Sequence, residues 1–264
     1  LVGNKIHKLE IGSAGRYKTS SPIGYDQISK ELPLLVESID VKGKFMWWSF
    51  RSSSGNRWYM HCTYGMAGGW FTSRNNHTCF SINFNGSGVP ITRDSRTLFF
   101  NDMRHFGTIK FVSSEEEHRK KLLSIGPCIF DENLTAETFA KMILKKPNKA
   151  ICEALMDQKM ISGIGNYLRS EILYDCKVDP WRCVTDITPQ EYVDLHEKTV
   201  VISKQAYLSQ GATIKTYRTA NDSVGSAQFS FKVYGKKIDP LGNEVVREED
   251  SNGRIIHWCP THQK

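Results

Sequence analysis

The amino-acid sequence predicts an α+β fold in which a β-rich first half, a helical second half and a terminal hairpin follow one another along the chain. Three observations carry this. Up to residue 124, short runs rich in β-branched and aromatic residues alternate with turn clusters, the pattern of strands packed into a sandwich or barrel. Beyond residue 134, apolar residues recur at helical spacing behind recognisable caps. After residue 226 the pattern returns to strands.

The strands expected in the first half are Lys44 to Phe50, Arg57 to Tyr64, Thr78 to Asn85 with Phe80, Ile82 and Phe84 on one face, Thr97 to Asn101, and Thr108 to Val112. Ser124 to Asn133 carries the turn residues of a linker. A helix should start near Thr135, and another at Thr188-Pro189-Gln190-Glu191. There a threonine cap, a proline at the first helical position and a glutamate three residues after the cap make a capping box, with Tyr192, Leu195, Ile202 and Ala206 on one face. Between them, Leu155 to Leu168 reads as two helices joined by a tight double turn. Its Gly163 and Gly165 allow positive φ or close approach of a ligand, and Asn166 stands where the helix Tyr167 to Leu173 begins. Free amides and the positive dipole end at such a start suit a phosphate, although a lone Gly-x-Gly is more often an ordinary turn. The last strands are expected at Phe229 to Val233, Glu244 to Glu248 and Arg254 to Trp258.

Composition bounds the function. With 264 residues, 39% of them hydrophobic and 24% charged, the chain can bury one large or two modest cores. No apolar run has the length of a bilayer span, and the N-terminus lacks the succession of a secretory signal. A net charge of +7 favours a polyanionic partner, because each lysine or arginine that neutralises a phosphate releases counterions. The seven cysteines are scattered and include no Cys-x-x-Cys, so a reducing compartment is expected rather than secretion.

Four further clusters join the double turn. Lys44, after Gly43, would stand at the start of a strand, where such a lysine usually snorkels. His61 to Gly68 ends a strand in a small-residue loop bearing Met66, either a core plug or a wedge. Asn101 to Gly107 leaves a strand with Arg104 and Phe106 two apart, a donor and an apolar wedge of the kind that probe a duplex. Gln210-Gly211-Ala212-Thr213-Ile214 fits a phosphate contact or a helix C-cap.

In this order the motifs resemble the Fpg/Nei family of bifunctional DNA glycosylases. The collinear pieces are Gly43-Lys44, His61 to Gly68 with Tyr64 inserted, Asp102 to Gly107, Leu155 to Leu173 with its Asp-Gln and Gly-Ile-Gly-Asn, Gln210-Gly211, and the final hairpin. Tyr167 to Tyr174, Phe231 to Gly235 and Trp258-Cys259-Pro260 look closer to the vertebrate Nei-like 2 and 3 branch.

The resemblance implies a β-sandwich domain over 1–124, a linker at 125–133, a helix-two-turn-helix domain over 134–225 and a hairpin finger over 226–264. It implies that an amine attacks C1′ of an everted damaged nucleotide, and that the Schiff base then undergoes β,δ-elimination. Lys44 would bind phosphate beside the lesion and assist the chemistry; Met66, Arg104 and Phe106 would fill the vacated stack. Gln158, Gly163, Gly165 and Asn166 of the double turn, with Arg254 of the finger, would contact DNA and grip flanking phosphates. The partner implied is damaged DNA, with oxidised pyrimidines and hydantoins favoured and single strands tolerated; a monomer without cofactor or membrane is expected. The family's nucleophile is an N-terminal proline followed by a glutamate, whereas Leu1-Val2-Gly3-Asn4-Lys5 matches the end of the segment that follows them. The expectation is a nucleophile upstream of Leu1. At the finger, Asp239, Asn243, Cys259 and His262 occupy the places of the zinc ligands, of which only two are soft or borderline donors, so a zincless finger is expected. The competing readings are a non-catalytic helix-two-turn-helix DNA-binding protein and a basic protein-interaction module.

Overall fold

The structure is a computed structural model, described here for residues 1–65, 67–84, 96–209 and 231–264. Of these, residues 1–122 form one compact unit and the rest, from 123 onward, a second.

The first unit is a sandwich of two antiparallel sheets. One has the order β1-β3-β4-β5-β9, from β1 (Lys5–Ile6), β3 (Leu34–Lys42), β4 (Phe45–Ser52), β5 (Arg57–Thr63) and β9 (Thr108–Val112). The other runs β2-β7-β8-β6, from β2 (Lys8–Ile11), β6 (Gly68–Phe71), β7 (Thr78–Asn83) and β8 (Thr97–Asp102). Alternation turns Trp48, Phe50, Met60 and Cys62 of one sheet and Phe80, Ile82, Leu98 and Phe100 of the other into one buried cluster. The short helix α1 (Tyr25–Ser29) and helix α2 (Glu115–Leu123) complete this unit's regular structure, α2 with His118 as its one buried side chain.

Four strands, β1, β2, β3 and β6, lie outside the expected set, two of them for a clear physical reason. β3 changes register against β4 between Val36 and Ser38, which breaks the period of two, and β6 opens with two glycines that have low strand propensity. Lys44 is also displaced from its expected place. It sits in the two-residue turn between β3 and β4, after Gly43 at φ 57°, and the strand begins at Phe45.

The second unit holds α3 (Ala136–Ile143), α4 (Ile151–Met156), α5 (Asn166–Asp175) and α6 (Pro189–Leu208), followed by the hairpin β10 (Val246–Glu249) and β11 (Ile255–Trp258). Thr135 caps α3 through Thr138 N–H. At α6 the capping box is complete, and Arg182 pairs with its Glu191 at 2.5 Å. The expected face of Tyr192, Leu195, Ile202 and Ala206 is buried. The stretch expected to be a linker is built into this unit, because Ser162 N–H donates to Pro127 O at 2.8 Å and Gly126 N–H to Gln158 O at 2.9 Å. The strand expected at 229–233 is absent from its described part. Residues 232–234 instead turn around a buried carboxylate, as set out below. No helix among the described residues is long and apolar enough to cross a membrane.

Candidate nucleic-acid interface

The double turn is closed by one side chain. Gln158 donates from Nε2 to Met156 O at 3.0 Å and to Ile164 O at 2.9 Å, while its Oε1 accepts from Gly163 N–H at 3.0 Å. Its amide therefore shapes the turn, a role the sequence reading had given only to the glycines. The two glycines differ. Gly163 has φ 114°, with Ile129 side-chain atoms 3.0 Å from where a Cβ would lie, whereas Gly165 is extended at φ −123°. α5 starts at Asn166, one residue before expectation, with no side-chain hydrogen bond capping it, and its N-terminal dipole end is the kind of place that suits an anion.

α5 organises the terminal hairpin. Asn166 Nδ2 donates to Ile255 O at 2.8 Å, and its Oδ1 is buried without a partner. One turn on, the fully buried Arg169 reaches Asp250 Oδ2 from Nη1 at 2.5 Å and Arg254 O from Nη2 at 3.2 Å. The other oxygen of Asp250 accepts from the backbone N–H of Asn252 at 2.9 Å and of Arg254 at 3.0 Å, which folds the 250–254 turn that presents the exposed Arg254. Burial opposes ionisation of Asp250, but the hydrogen bond from Arg169, those from the two amides and the guanidinium charge outweigh it and hold the carboxyl below its ordinary range.

The same helix holds the segment before the hairpin. Glu171 accepts from the backbone N–H of Lys232 at 2.8 Å, Val233 at 3.0 Å and Tyr234 at 2.8 Å; burial raises its pKa, and those amides only partly offset the shift. Tyr174 donates to Asp239 Oδ2 at 3.1 Å, and Asp239 also accepts from Leu241 N–H at 2.9 Å and Asn243 N–H at 2.7 Å. Those donors overcome burial and depress Asp239 to about 2. His262 packs on the Tyr174 ring at 4.5 Å, while Cys259 lies in an apolar cluster with Val233, Val245 and Tyr174. The residues at the family's zinc positions are thus engaged with protein partners, and no cluster of three or more His, Cys, Asp or Glu able to hold a metal occurs among the described residues.

In the first unit, Asp102 shapes the loop that carries the other candidates. Buried at 1% exposure, it accepts from Arg104 N–H at 3.2 Å and Gly107 N–H at 2.6 Å. The loop lifts Phe106 to 54% exposure with the Arg104 guanidinium 5.3 Å from its ring centroid. Gly65, at φ 59°, lies so close that a Cβ would meet Phe106 Cβ at 2.7 Å, which brings the 64–68 and 102–107 loops together. Met66 lies outside the described residues, as do Gln210 to Ile214. Lys44 is exposed.

Sequence reasoning missed Arg169, Glu171 and Asp102 as organisers. The charged Arg169 and Glu171, sitting between the apolar Leu168 and Ile172, were the available signal.

The model of the formamidopyrimidine-DNA glycosylase H2TH domain matches residues 125–218. Formamidopyrimidine-DNA glycosylase of Listeria monocytogenes is 33% identical over 174 residues, covering 65% of this chain and 63% of the relative. The chain is similar to the formamidopyrimidine-DNA glycosylases of the Fpg/Nei family. The enzyme of the same name from Bacillus anthracis is 33% identical over 173 residues, 64% of this chain and 62% of its own. The matched region thus spans a little under two thirds of these Fpg/Nei relatives. Among solved structures, a Lactococcus lactis FPG mutant in complex with Fapy-dG containing DNA aligns at TM-score 0.82 and 25% identity, over 100% of this chain and 93% of that one. The complex of Lactococcus lactis Fpg with abasic site containing DNA aligns at TM-score 0.80 and 23% identity, over 100% and 94%. The Fpg/Nei fold therefore extends over the whole chain, beyond the stretch that sequence identity covers.

Proposed function

We propose that the protein is a base-excision-repair DNA glycosylase and AP lyase that removes oxidised bases, pyrimidines and hydantoins foremost, and nicks the strand. The observation that carries this reading is the coupling of two phosphate-binding features. The uncapped start of α5 and the Arg254-bearing turn are locked together by Asn166, Arg169 and Asp250, so they can grip one backbone as a unit. Damaged duplex DNA is the partner, with tolerance for single strands, and the protein acts as a monomer. The motifs around Tyr167 and Trp258 support a position nearer the Nei-like 2 and 3 branch.

In the proposed chemistry an amine adds to C1′ as the glycosidic bond breaks, and the base departs with the bonding electrons and a proton. The C1′–O4′ bond of the adduct then opens, O4′ taking a proton, to give the imine; loss of its 2′ proton expels the 3′ phosphate, and loss of the 4′ proton in a second elimination expels the 5′ phosphate. No residue of this chain is assigned as the amine. Lys44, exposed at its turn, binds phosphate beside the reacting sugar; Arg104 and Phe106, with Met66, occupy the stack that the everted base leaves. Gln158 acts through the turn it closes, Gly163 and Gly165 through the backbone they shape, and Asn166 and Arg254 at the phosphates.

Borohydride trapping of the natural polypeptide on an oligonucleotide with an oxidised pyrimidine tests the reading. A covalent adduct is expected. Tight, salt-dependent DNA binding without adduct would favour the non-catalytic helix-two-turn-helix alternative.

A further inference from the structure

The loop that joins α3 to α4 carries Lys145, Lys146 and Lys149 with no acidic residue between them, and two of these lysines reach both gripping elements. Lys146 Nζ stands 3.9 Å from Asp157, the residue that opens the double turn and whose Oδ1 accepts from Lys159 N–H at 2.9 Å. Lys149 Nζ stands 3.1 Å from Glu153 Oε2, and the other oxygen of Glu153 accepts from Ser251 N–H, in the turn that presents Arg254, at 3.1 Å. The loop is held in place from behind: Cys183 Sγ donates to Pro147 O at 2.9 Å, and Val184 N–H to Lys149 O at 2.9 Å. Lys145 is exposed, with Met142 Sδ at 3.1 Å, and Lys159 is exposed on the double turn itself.

The ammonium groups of Lys146 and Lys149 thus stand beside two carboxylates, one in the double turn and one bonded to the hairpin turn, with Lys145 exposed on the same loop and Lys159 exposed on the double turn. The carboxylates are engaged by backbone N–H groups as well, Asp157 by Lys159 and Glu153 by Ser251, so they stay held if a lysine turns away. Both lysines are about half exposed, so each can leave its carboxylate for a phosphate. Resting on the DNA-binding reading above, we propose that the Lys145–Lys149 loop is a third phosphate-contacting element, which seats duplex flanking the segment held by α5 and Arg254. The occupant is double-stranded DNA, since a rigid, evenly charged backbone suits lysines spaced along a pinned loop, and phosphate contacts of this type carry no sequence preference.

The test measures affinity by fluorescence anisotropy across a salt series, on a duplex that just spans a tetrahydrofuran lesion analogue and on one lengthened by a helical turn at each end. Lys145→Gln is the primary variant, because its ammonium makes no ion pair with a carboxylate; Lys145→Gln combined with Lys149→Gln is the second. The parent is expected to gain affinity on the longer duplex. The variants should lose part of that gain, and the slope of log affinity against log salt should fall by about one for each lysine that meets a phosphate. Gain and slope equal to the parent's in the double variant, with an unchanged melting temperature, would overturn the proposal. Asn166→Ala separates this outcome from failure of the underlying reading: if it too leaves affinity for both duplexes unchanged, the double turn is not a DNA clamp.

Discussion

Arg169 and Asp250 form a fully buried ion pair, Nη1 to Oδ2 at 2.5 Å, between the helix that follows the double turn and the hairpin turn that presents Arg254. Burying two charges costs several kcal/mol each, so such a pair is retained where its geometry is needed; here the second Asp250 oxygen folds the turn and the second Arg169 nitrogen donates to Arg254 O. Removing one partner leaves the other charged and dry. Arg169→Met should destabilise the second unit by about 3 to 5 kcal/mol, read by urea unfolding. Arg169→Met with Asp250→Asn should recover part of that loss, and no recovery would show that the pair is not the source of the effect.

Asn166→Ala removes the donor to Ile255 O together with a polar group at the start of α5. DNA affinity should fall by about 1 to 3 kcal/mol for all sequences, measured by anisotropy at moderate salt. A fall confined to one base sequence would argue for base readout in place of backbone grip.

The two glycines of the double turn should separate cleanly. Gly163→Ala forces a side chain into φ 114° and against Ile129, at a cost of about 1 to 3 kcal/mol. Gly165→Ala, at φ −123°, meets no such backbone penalty. Thermal unfolding of both variants decides it: equal losses would mean that conformation at Gly163 is not what the turn requires.

The first unit should weaken on acidification. His61 Nε2 lies 3.0 Å from His118 Nδ1, with Tyr59 stacked on His118 at 3.9 Å. Burial, then the His118, Lys110 and Lys121 charges, lower His61 to about 4 against the opposing Glu117; burial lowers His118 against Glu115 and Asp40. Both folded-state values lie below the unfolded value, so the stability they provide is complete above about pH 6.5 and is lost as pH falls toward 4, up to about 3 kcal/mol for His61. Urea unfolding at pH 7 and pH 5 should show the loss, and His61→Gln should flatten it. A pH-independent midpoint in the parent would refute the coupling.

The finger should keep its hairpin without zinc. Asp239 is satisfied by Tyr174 and by the Leu241 and Asn243 amides, and the Cys259 amide donates to Gln263 Oε1 at 2.8 Å. Elemental analysis of protein purified without a metal-binding tag should find well under one zinc per chain, and chelator should leave DNA binding unchanged. Stoichiometric zinc would reverse this expectation.

Much of this architecture follows from local chemistry. The alternation in Thr78 to Phe84, the capping box at Thr188 and the double turn at Gly163 are set by side-chain period, hydrogen-bonding side chains at a helix start and backbone freedom, all of which act over a few residues and so can be read along the chain. The resemblance to the Fpg/Nei family was legible for the same reason, since it rests on collinear motifs. What stayed hidden depends on partners distant in sequence. The register shift in β3 is defined only by β4, and the expected linker is fastened only by the 158–162 backbone. Residues 232–234 turn because Glu171 offers a buried carboxylate to three of their amides, and Arg169 gains its role only when residue 250 arrives beside it. Propensity and pattern describe what a segment prefers by itself; burial makes an unpaired polar group costly, and only the tertiary structure decides which distant group satisfies it.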